Sequence, residues 1–329
     1  MRQVMATRLG GPEVLEVVEA KLPSAGPGEL LVEVTAAGVN FLDIYRRSGI
    51  YPMPFPHVVG TEGAGVVAAV GRDVSGVAVG DRVAWVNTPG SCAEYQVIPA
   101  AAAVRVPDAL QLTTAAAVAL QGITAHFLTN STYEVAAGDA MLVHAAAGGV
   151  GSLVVQLGRS KGAVVIGTVS SEEKKQRALQ AGAHHVIQYG AGADVADEVK
   201  RLTDGEGVAV VYDGVGKDTF DMSLASLRRR GMLVLFGGAS GQVAPVDPQR
   251  LNTAGSVYLT RPTIGDYIAE RAELEWRSSE VFQAVTDGRL VVRIADSLPL
   301  EKASDAHAAL EGRRTSGKLI LIPALGGED

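Results

Sequence analysis

The chain has 329 residues, 29 Lys and Arg against 36 Asp and Glu for a formal net charge of −7, and 47% hydrophobic residues. That length suits two domains with a core each, and charges spread along the whole chain argue against a nucleic-acid partner, with the one basic run, Arg228-Arg229-Arg230, reading as a helix C-terminus. One cysteine, Cys92, excludes an intramolecular disulfide and a multi-cysteine zinc lobe; no signal peptide and no membrane span are read, so the cytosol is the expected address.

From Val14 to about Pro107, short strand signals alternate with glycine and proline. Leu30, Val32 and Val34 interleave with Glu29, Leu31 and Glu33 as in a half-buried strand. The run 63–71 and the Gly80-Asp81 turn feeding Arg82-Val83-Ala84 add further strands, which makes this a β-rich, barrel-like region. The alanine-rich stretch from Ala115 to Leu128 is helical, and the crossover to a second domain is set there. Beyond it strands are expected at 141–145, 163–169, 185–188, 208–213, 232–236 and 256–260, with helices at 150–161, 171–181, 194–203 and 218–229. That alternation describes a doubly wound parallel sheet. A helix over 267–286 and a closing strand, Leu319-Ile320-Leu321-Ile322, follow a finished nucleotide fold and are expected to return to the first domain. The expected division is 1–123, 124–263 and 264–329, the last segment completing the first.

At the centre lies His144-Ala145-Ala146-Ala147-Gly148-Gly149-Val150-Gly151, between an apolar strand and a helix with Val150, Leu153, Val154 and Leu157 on one face. A pyrophosphate is held in such a turn by the free N–H groups of the helix start, and the glycines let the backbone approach it. Gly148 and Gly151 fit the G-x-G-x-x-G register, with Ala146 in the first position. The cofactor is selected at the end of the next strand, where NAD-binding versions carry an acidic residue about 20 positions on. Here that place holds Ser170-Ser171; Glu172 and Glu173 belong to the following helix, with Ser170 and Glu173 spaced as a capping box, and Lys174 follows. Nothing acidic guards the ribose, so NADPH is expected over NADH, its 2′-phosphate met by Ser170, Lys174 and Tyr189.

Read as a whole, from about Gly10 to Pro323, the chain resembles the zinc-independent quinone oxidoreductases related to zeta-crystallin, within the medium-chain dehydrogenase/reductase superfamily. The resemblance rests on the runs 37–43, 47–52, 60–65, 211–216 and 259–262 together with the glycine turn. It implies an α/β chain made of a Rossmann doubly wound parallel sheet and a discontinuous β-rich GroES-like domain. It further implies hydride transfer from NADPH to a quinone in an interdomain cleft, and a homodimer. By position it assigns Asn40, Asp43 and Thr124 to the nicotinamide side, Gly149 and Val150 to the pyrophosphate, and Lys174, Tyr189 and Arg313 to the 2′-phosphate. Phe236, Gly237 and Ser240 fall on the loop after the fifth Rossmann strand. Asn40 stands where zinc-dependent relatives carry a cysteine ligand, and Thr61-Glu62 where they carry histidine, so no metal is expected.

Without a metal, the negative charge that develops on a quinone oxygen needs preorganised donors. The candidates are the Asn40 amide and the Tyr45 and Tyr51 hydroxyls, while Asp43 either orients a neighbour or caps the segment after Asn40. Two alternatives stand beside this reading: a reductase of α,β-unsaturated carbonyls or enoyl thioesters, and a protein that binds NADPH, or RNA, without turnover. The strand 255–259, if at a sheet edge, offers a dimer contact.

Overall fold

The structure is a computed structural model that describes residues 1–189, 194–313 and 315–323. The chain divides into two compact units, Met1–Ile123 with Ile268–Asp329, and Thr124–Tyr267.

The first unit is built on the strand Glu29–Val39. Its pattern predicts strict alternation, yet Leu30, Leu31 and Val32 are all buried. Leu30, Val32 and Val34 keep to one apolar core, and Leu31 on the opposite face is covered as well, so both faces of the strand are packed here; against Glu62–Val70 the register shifts between Leu31 and Val32 and again between Val34 and Ala36. On its other edge the strand pairs first with Tyr95–Pro99, through Glu29 to Glu33, and then with Lys318–Leu321, through Ala37 to Val39. One strand shared between two partners must wrap, which gives the barrel-like curvature. The returning C-terminal strand is thus an integral part of this sheet. Directly after Glu29–Val39 comes the helix Phe41–Arg47. Its last residue, Arg47, is buried and donates through Nε to the Gly10 carbonyl at 3.2 Å, meets His307 Nδ1 at 3.1 Å and pairs with Glu311. Burial drives the His307 pKa down to about 3, so the ring is neutral and accepts from the guanidinium. This cluster fixes the helix that carries Asp43 and Tyr45.

The second unit is a six-stranded parallel sheet in the order His185–Gln188, Val164–Val169, Ala140–Val143, Val208–Asp213, Leu227–Leu235, Tyr258–Thr260. Successive strands run outward to one side of Ala140–Val143 and then to the other. A doubly wound sheet of this order binds its ligand at the carboxyl ends of the strands beside that reversal. Two expectations need correction. The helix expected over 218–229 ends at Ala225, and Arg228-Arg229-Arg230 lies in the strand Leu227–Leu235 instead of at a helix C-terminus. There the pairing jumps from Val208↔Leu227 to Val210↔Met232, so the arginines bulge out of the ladder with exposed side chains, Arg230 at a φ of 57°. The other correction concerns membrane spans, because the helical stretch Leu112–Thr132 is long and apolar enough to qualify by length and composition. In this fold 72% of its 18-residue apolar window is buried inside the protein, as in the core helix of a globular domain.

Candidate active site

In the first unit, a closed polar cluster forms where the strand Glu29–Val39 meets the helix after it. Asn40 is only 5% exposed. Its Nδ2 donates to Glu62 Oε2 at 2.9 Å and to the Gly38 carbonyl at 3.2 Å, and its Oδ1 accepts from Lys318 Nζ at 2.6 Å. Lys318 and Glu62 are themselves ion-paired and at most 1% exposed. Glu62 Oε1 accepts from the Leu120 N–H at 2.5 Å. The orientation of the amide is fixed by its neighbours, since a carboxylate requires a donor and an ammonium requires an acceptor. The cluster rests on Gly38, where a Cβ would fall 2.1 Å from Glu62 Oε2 and 2.7 Å from Lys318 Cε.

Asp43, also buried, is joined to this cluster. Its Oδ2 accepts from the Asn40 backbone N–H at 2.9 Å and its Oδ1 from Thr61 Oγ1 at 2.9 Å. Asp43 therefore closes the N-terminus of the helix Phe41–Arg47, one of the two roles expected for it. Burial pushes its carboxyl up to about 6, against the opposing influence of those two donors, Lys318 and Arg46. Asp43 and Thr61 line a small cavity with Arg46, His57, Gly60 and Pro89 among others, and Arg46 Nη1 is buried without a hydrogen-bond partner. Tyr45 and Tyr51 pack edge-on with ring centroids 5.5 Å apart. Tyr51 is 38% exposed, so this aromatic pair opens to solvent on one side.

In the second unit the helix begins at Gly149 with Gly148 as its N-cap. The residue with positive φ in the turn is Ala145, at 51°, a conformation that strains an L side chain. Gly151 is required by close approach, since a Cβ there would fall 2.3 Å from the Ala145 carbonyl. The first N–H groups of the helix lie beyond this turn, as an anion cradle needs. Asp213, at the end of its strand, accepts from the N–H groups of Val215 and Gly216, each at 2.9 Å, and from Thr219 and Ser223 hydroxyls. The facing loop of Phe236, Gly237 and Ser240 is anchored to the same turn: Phe236 N–H donates to the Asp213 carbonyl at 2.8 Å, and Ser240 N–H to the Val215 carbonyl at 2.8 Å. Thr124, the first residue of this unit, is buried.

At the end of Val164–Val169, Ser170 is exposed and Lys174 Nζ lies 3.4 Å from Ser170 Oγ. The helix N-cap is Ser171, which accepts from the Lys174 N–H at 3.3 Å; the capping box anticipated at Ser170 is displaced by one residue, leaving the Ser170 hydroxyl outside the cap. Tyr189 turns its hydroxyl inward to Thr168 and His144 Nδ1. His144 Nε2 lies 2.9 Å from Ser223 Oγ, and Ser223 donates to Asp213 at 2.7 Å. The serine proton being committed to the carboxylate, His144 carries its proton on Nε2 and accepts at Nδ1. Burial lowers the His144 pKa, consistent with this neutral ring. Arg313 follows the helix Ala303–Glu311 in the first unit with a φ of 54°.

Sequence reasoning missed Lys318, Arg46 and His144. A lysine heading an apolar strand and a histidine ending one carry no local pattern that announces a buried partner. Nor do the donors suit a metal ion. An ammonium already occupies the position beside Asn40 and Glu62, and among the described residues no group of three or more His, Cys, Asp or Glu side chains converges to hold one.

This pairing of a GroES-like unit with a Rossmann unit defines a class of two-domain dehydrogenases and reductases. Residues 26–108 match the alcohol dehydrogenase GroES-like domain profile and residues 149–277 the zinc-binding dehydrogenase profile. A quinone oxidoreductase of Salmonella typhimurium is 45% identical, covering 97% of this chain and 100% of its own. A 2-haloacrylate reductase of a Burkholderia species is 42% identical over 95% of this chain and 96% of its own. The crystal structure of Escherichia coli quinone oxidoreductase complexed with NADPH superposes with a TM-score of 0.96 at 42% identity, covering 98% of this chain and all of the other. The chain belongs to the quinone oxidoreductase family of the medium-chain dehydrogenase/reductase superfamily.

Proposed function

We propose that this protein is an NADPH:quinone oxidoreductase that works without a metal. The observation that carries the cofactor choice is the end of the strand Val164–Val169, where Ser170 and Lys174 stand together in place of an acidic residue. A carboxylate there would accept the ribose hydroxyls and repel a phosphate; a hydroxyl and an ammonium do the reverse. In this reading Gly148, Gly149, Val150 and Gly151 receive the pyrophosphate. Ser170 and Lys174 receive the 2′-phosphate with help from Arg313, while the Tyr189 hydroxyl, expected there too, is turned inward to His144 and Thr168. The loop of Phe236, Gly237 and Ser240, with Thr124, Asn40 and Asp43, surrounds the nicotinamide end. When bound, NADPH supplies the hydride. Tyr45 and Tyr51 supply hydroxyl donors to the quinone oxygen on which negative charge develops, and solvent supplies the proton to a hydroquinone oxygen that is only a mild base. The exposed edge strand Tyr258–Thr260, with Tyr258 58% exposed, is the dimer contact in this reading, and a monomer mass independent of concentration would remove that part of it.

Following NADPH and NADH consumption against 1,4-benzoquinone and an enone tests the whole assignment. Turnover of the quinone with NADPH in preference to NADH is expected. Lys174→Ala loses a charge-assisted contact and weakens NADPH by roughly ten- to a hundredfold, with little change for NADH; equal losses for both would refute the phosphate assignment. A second reading, reduction of an electron-poor C=C bond, is favoured by the similarity to 2-haloacrylate reductase and would appear as enone turnover exceeding quinone turnover. NADPH binding with no acceptor turned over would leave a non-catalytic binder.

A further inference from the structure

Two buried arginines of the first unit, Arg47 and Arg277, are each 1% exposed and pair with the carboxylates of Glu311 and Glu273. Arg46, on the same helix as Arg47, is half-buried, yet among the described residues it makes no ion pair or hydrogen bond, and its Nη1 is buried. Taking a guanidinium out of water costs free energy that a counter-ion ordinarily offsets. Arg46 lines a partly open cavity of about 190 Å3 together with Asp43, His57 and Thr61, and Met53, Val59 and Pro89 add apolar wall. Thr61 has committed its proton to Asp43 Oδ1. Burial, and after it the charge of Arg46, lowers the His57 pKa, so the ring is neutral at pH 7, and its Nδ1–H is directed to the Pro54 carbonyl at 3.0 Å. The Asp43 carboxylate is occupied by the Asn40 N–H and by Thr61 and forms no ion pair with Arg46. The guanidinium thus faces a cavity whose named walls leave it without a counter-ion in contact.

We propose that this cavity is a binding site for a small monovalent anion, such as a halide or formate, held between the Arg46 guanidinium and a protonated Asp43. Arg46 sets the sign of the ligand. The side chains of Met53, Val59 and Pro89 offer no donors, which disfavours a polyvalent oxyanion that needs several. With Asp43 ionised, its charge and that of Arg46 already cancel, so an arriving anion brings one proton with it. Each Asp43 oxygen accepts one hydrogen bond from the protein and keeps a second lone pair, where that proton sits and donates to the anion. The other charges near Asp43 do not balance the anion: Lys318 is paired with Glu62, and burial pushes the Cys92 thiol well up, so it stays neutral. Neither a dinucleotide nor an electron acceptor takes part in this site.

Bromide is the probe. Broadening of the bromide NMR line is titrated at constant ionic strength with wild type, Arg46→Met and Asp43→Asn, and anomalous diffraction is collected from wild-type crystals grown in sodium bromide. At about pH 5 the wild type should broaden the line saturably in the millimolar range, and the crystals should show bromide beside Arg46 Nη1. Arg46→Met removes a half-buried cation that has no partner, so it should fold and melt at or above the wild-type temperature. Its bromide affinity should fall about tenfold or more, the loss of a charge-assisted contact. Burial raises the Asp43 carboxyl to about 6. Above that pH each bound anion must carry a proton in, so wild-type affinity should drop by up to about tenfold per pH unit. Asp43→Asn, which offers an amide N–H in place of the carboxyl proton, should bind bromide with no such dependence. Formate should compete with bromide, and sulfate at equal ionic strength should not. Broadening that is not saturable, or is the same in Arg46→Met, overturns the proposal. So does a peak beside Arg46 with no anomalous signal, which is a water, and the wild-type crystals decide the matter even where a variant does not fold. A pH dependence that survives in Asp43→Asn would overturn the part given to Asp43.

Discussion

Two buried polar clusters, one in each unit, solve the same problem differently. Around Asn40 the first unit uses full charges, an ammonium against a carboxylate, to hold one amide. Around Asp213 the second unit surrounds its carboxylate with backbone N–H groups and hydroxyls, relayed through Ser223 to a neutral His144 and on to Tyr189. A charged cluster is stiff and unforgiving, because losing either partner leaves an uncompensated ion in a low-dielectric interior. A hydroxyl-bridged cluster loses one hydrogen bond at a time. The difference suits the two tasks: orienting a single side chain on the one hand, shaping two loops at the carboxyl ends of interior strands on the other.

Substitutions sharpen that contrast. The largest effect is expected from Gly38→Ala, whose methyl would collide with Glu62 and Lys318 together and force the pair apart. Destabilisation of about 3 kcal/mol or more, with loss of turnover, should be read by denaturant unfolding and assay; a variant of wild-type stability would mean that the pair yields easily to the added methyl. A smaller loss is expected from Ser223→Ala, which cuts the link between His144 and Asp213. About 1–3 kcal/mol should be lost, and an unfolding curve matching the wild type would show that the relay carries no strength.

The third effect is a pH dependence at Asp43. Its carboxyl is raised from 3.8 to about 6 by burial. Between those values the folded protein keeps a proton that the unfolded chain has released, so the contribution to stability falls as pH rises through the window and is fully lost above it. This is opposite in sign to a paired surface carboxylate. Asp43→Asn removes the titration. Its melting temperature relative to wild type should therefore climb between pH 4 and pH 7, on top of any constant offset from the lost acceptor. A difference that stays flat with pH would show that the carboxyl titrates normally.

The parallel sheet was legible because each of its strands is an apolar run bounded by turn residues, and because helix and strand periods alternate along 140–260. The return of the C-terminal strand followed from an apolar segment left over after six strands. The NADPH choice was legible too, having been read from the few residues after one strand. Less visible was anything that depends on distant partners. Lys318 lies 278 positions from Asn40 and 256 from Glu62, and no spacing rule reaches so far. For Asn40, a donor role is what a free amide suggests from sequence, whereas both of its hydrogens are engaged within the cluster. The arginine run misled for a related reason: its charges fit a helix end, while the bulged pairing that hosts it is set by Val208 and Met232.

That the strand Lys318–Leu321 belongs to the unit begun near the N-terminus bears on synthesis. Emerging from a ribosome, Asn40 and Glu62 wait through more than 250 further residues before their cation arrives, with the whole Rossmann unit completed in between. Until then the carboxylate has no cation beside it, only the Asn40 amide and the Leu120 N–H to draw on. The first unit therefore gains a fully held Asn40 only once the strand Lys318–Leu321 has been made.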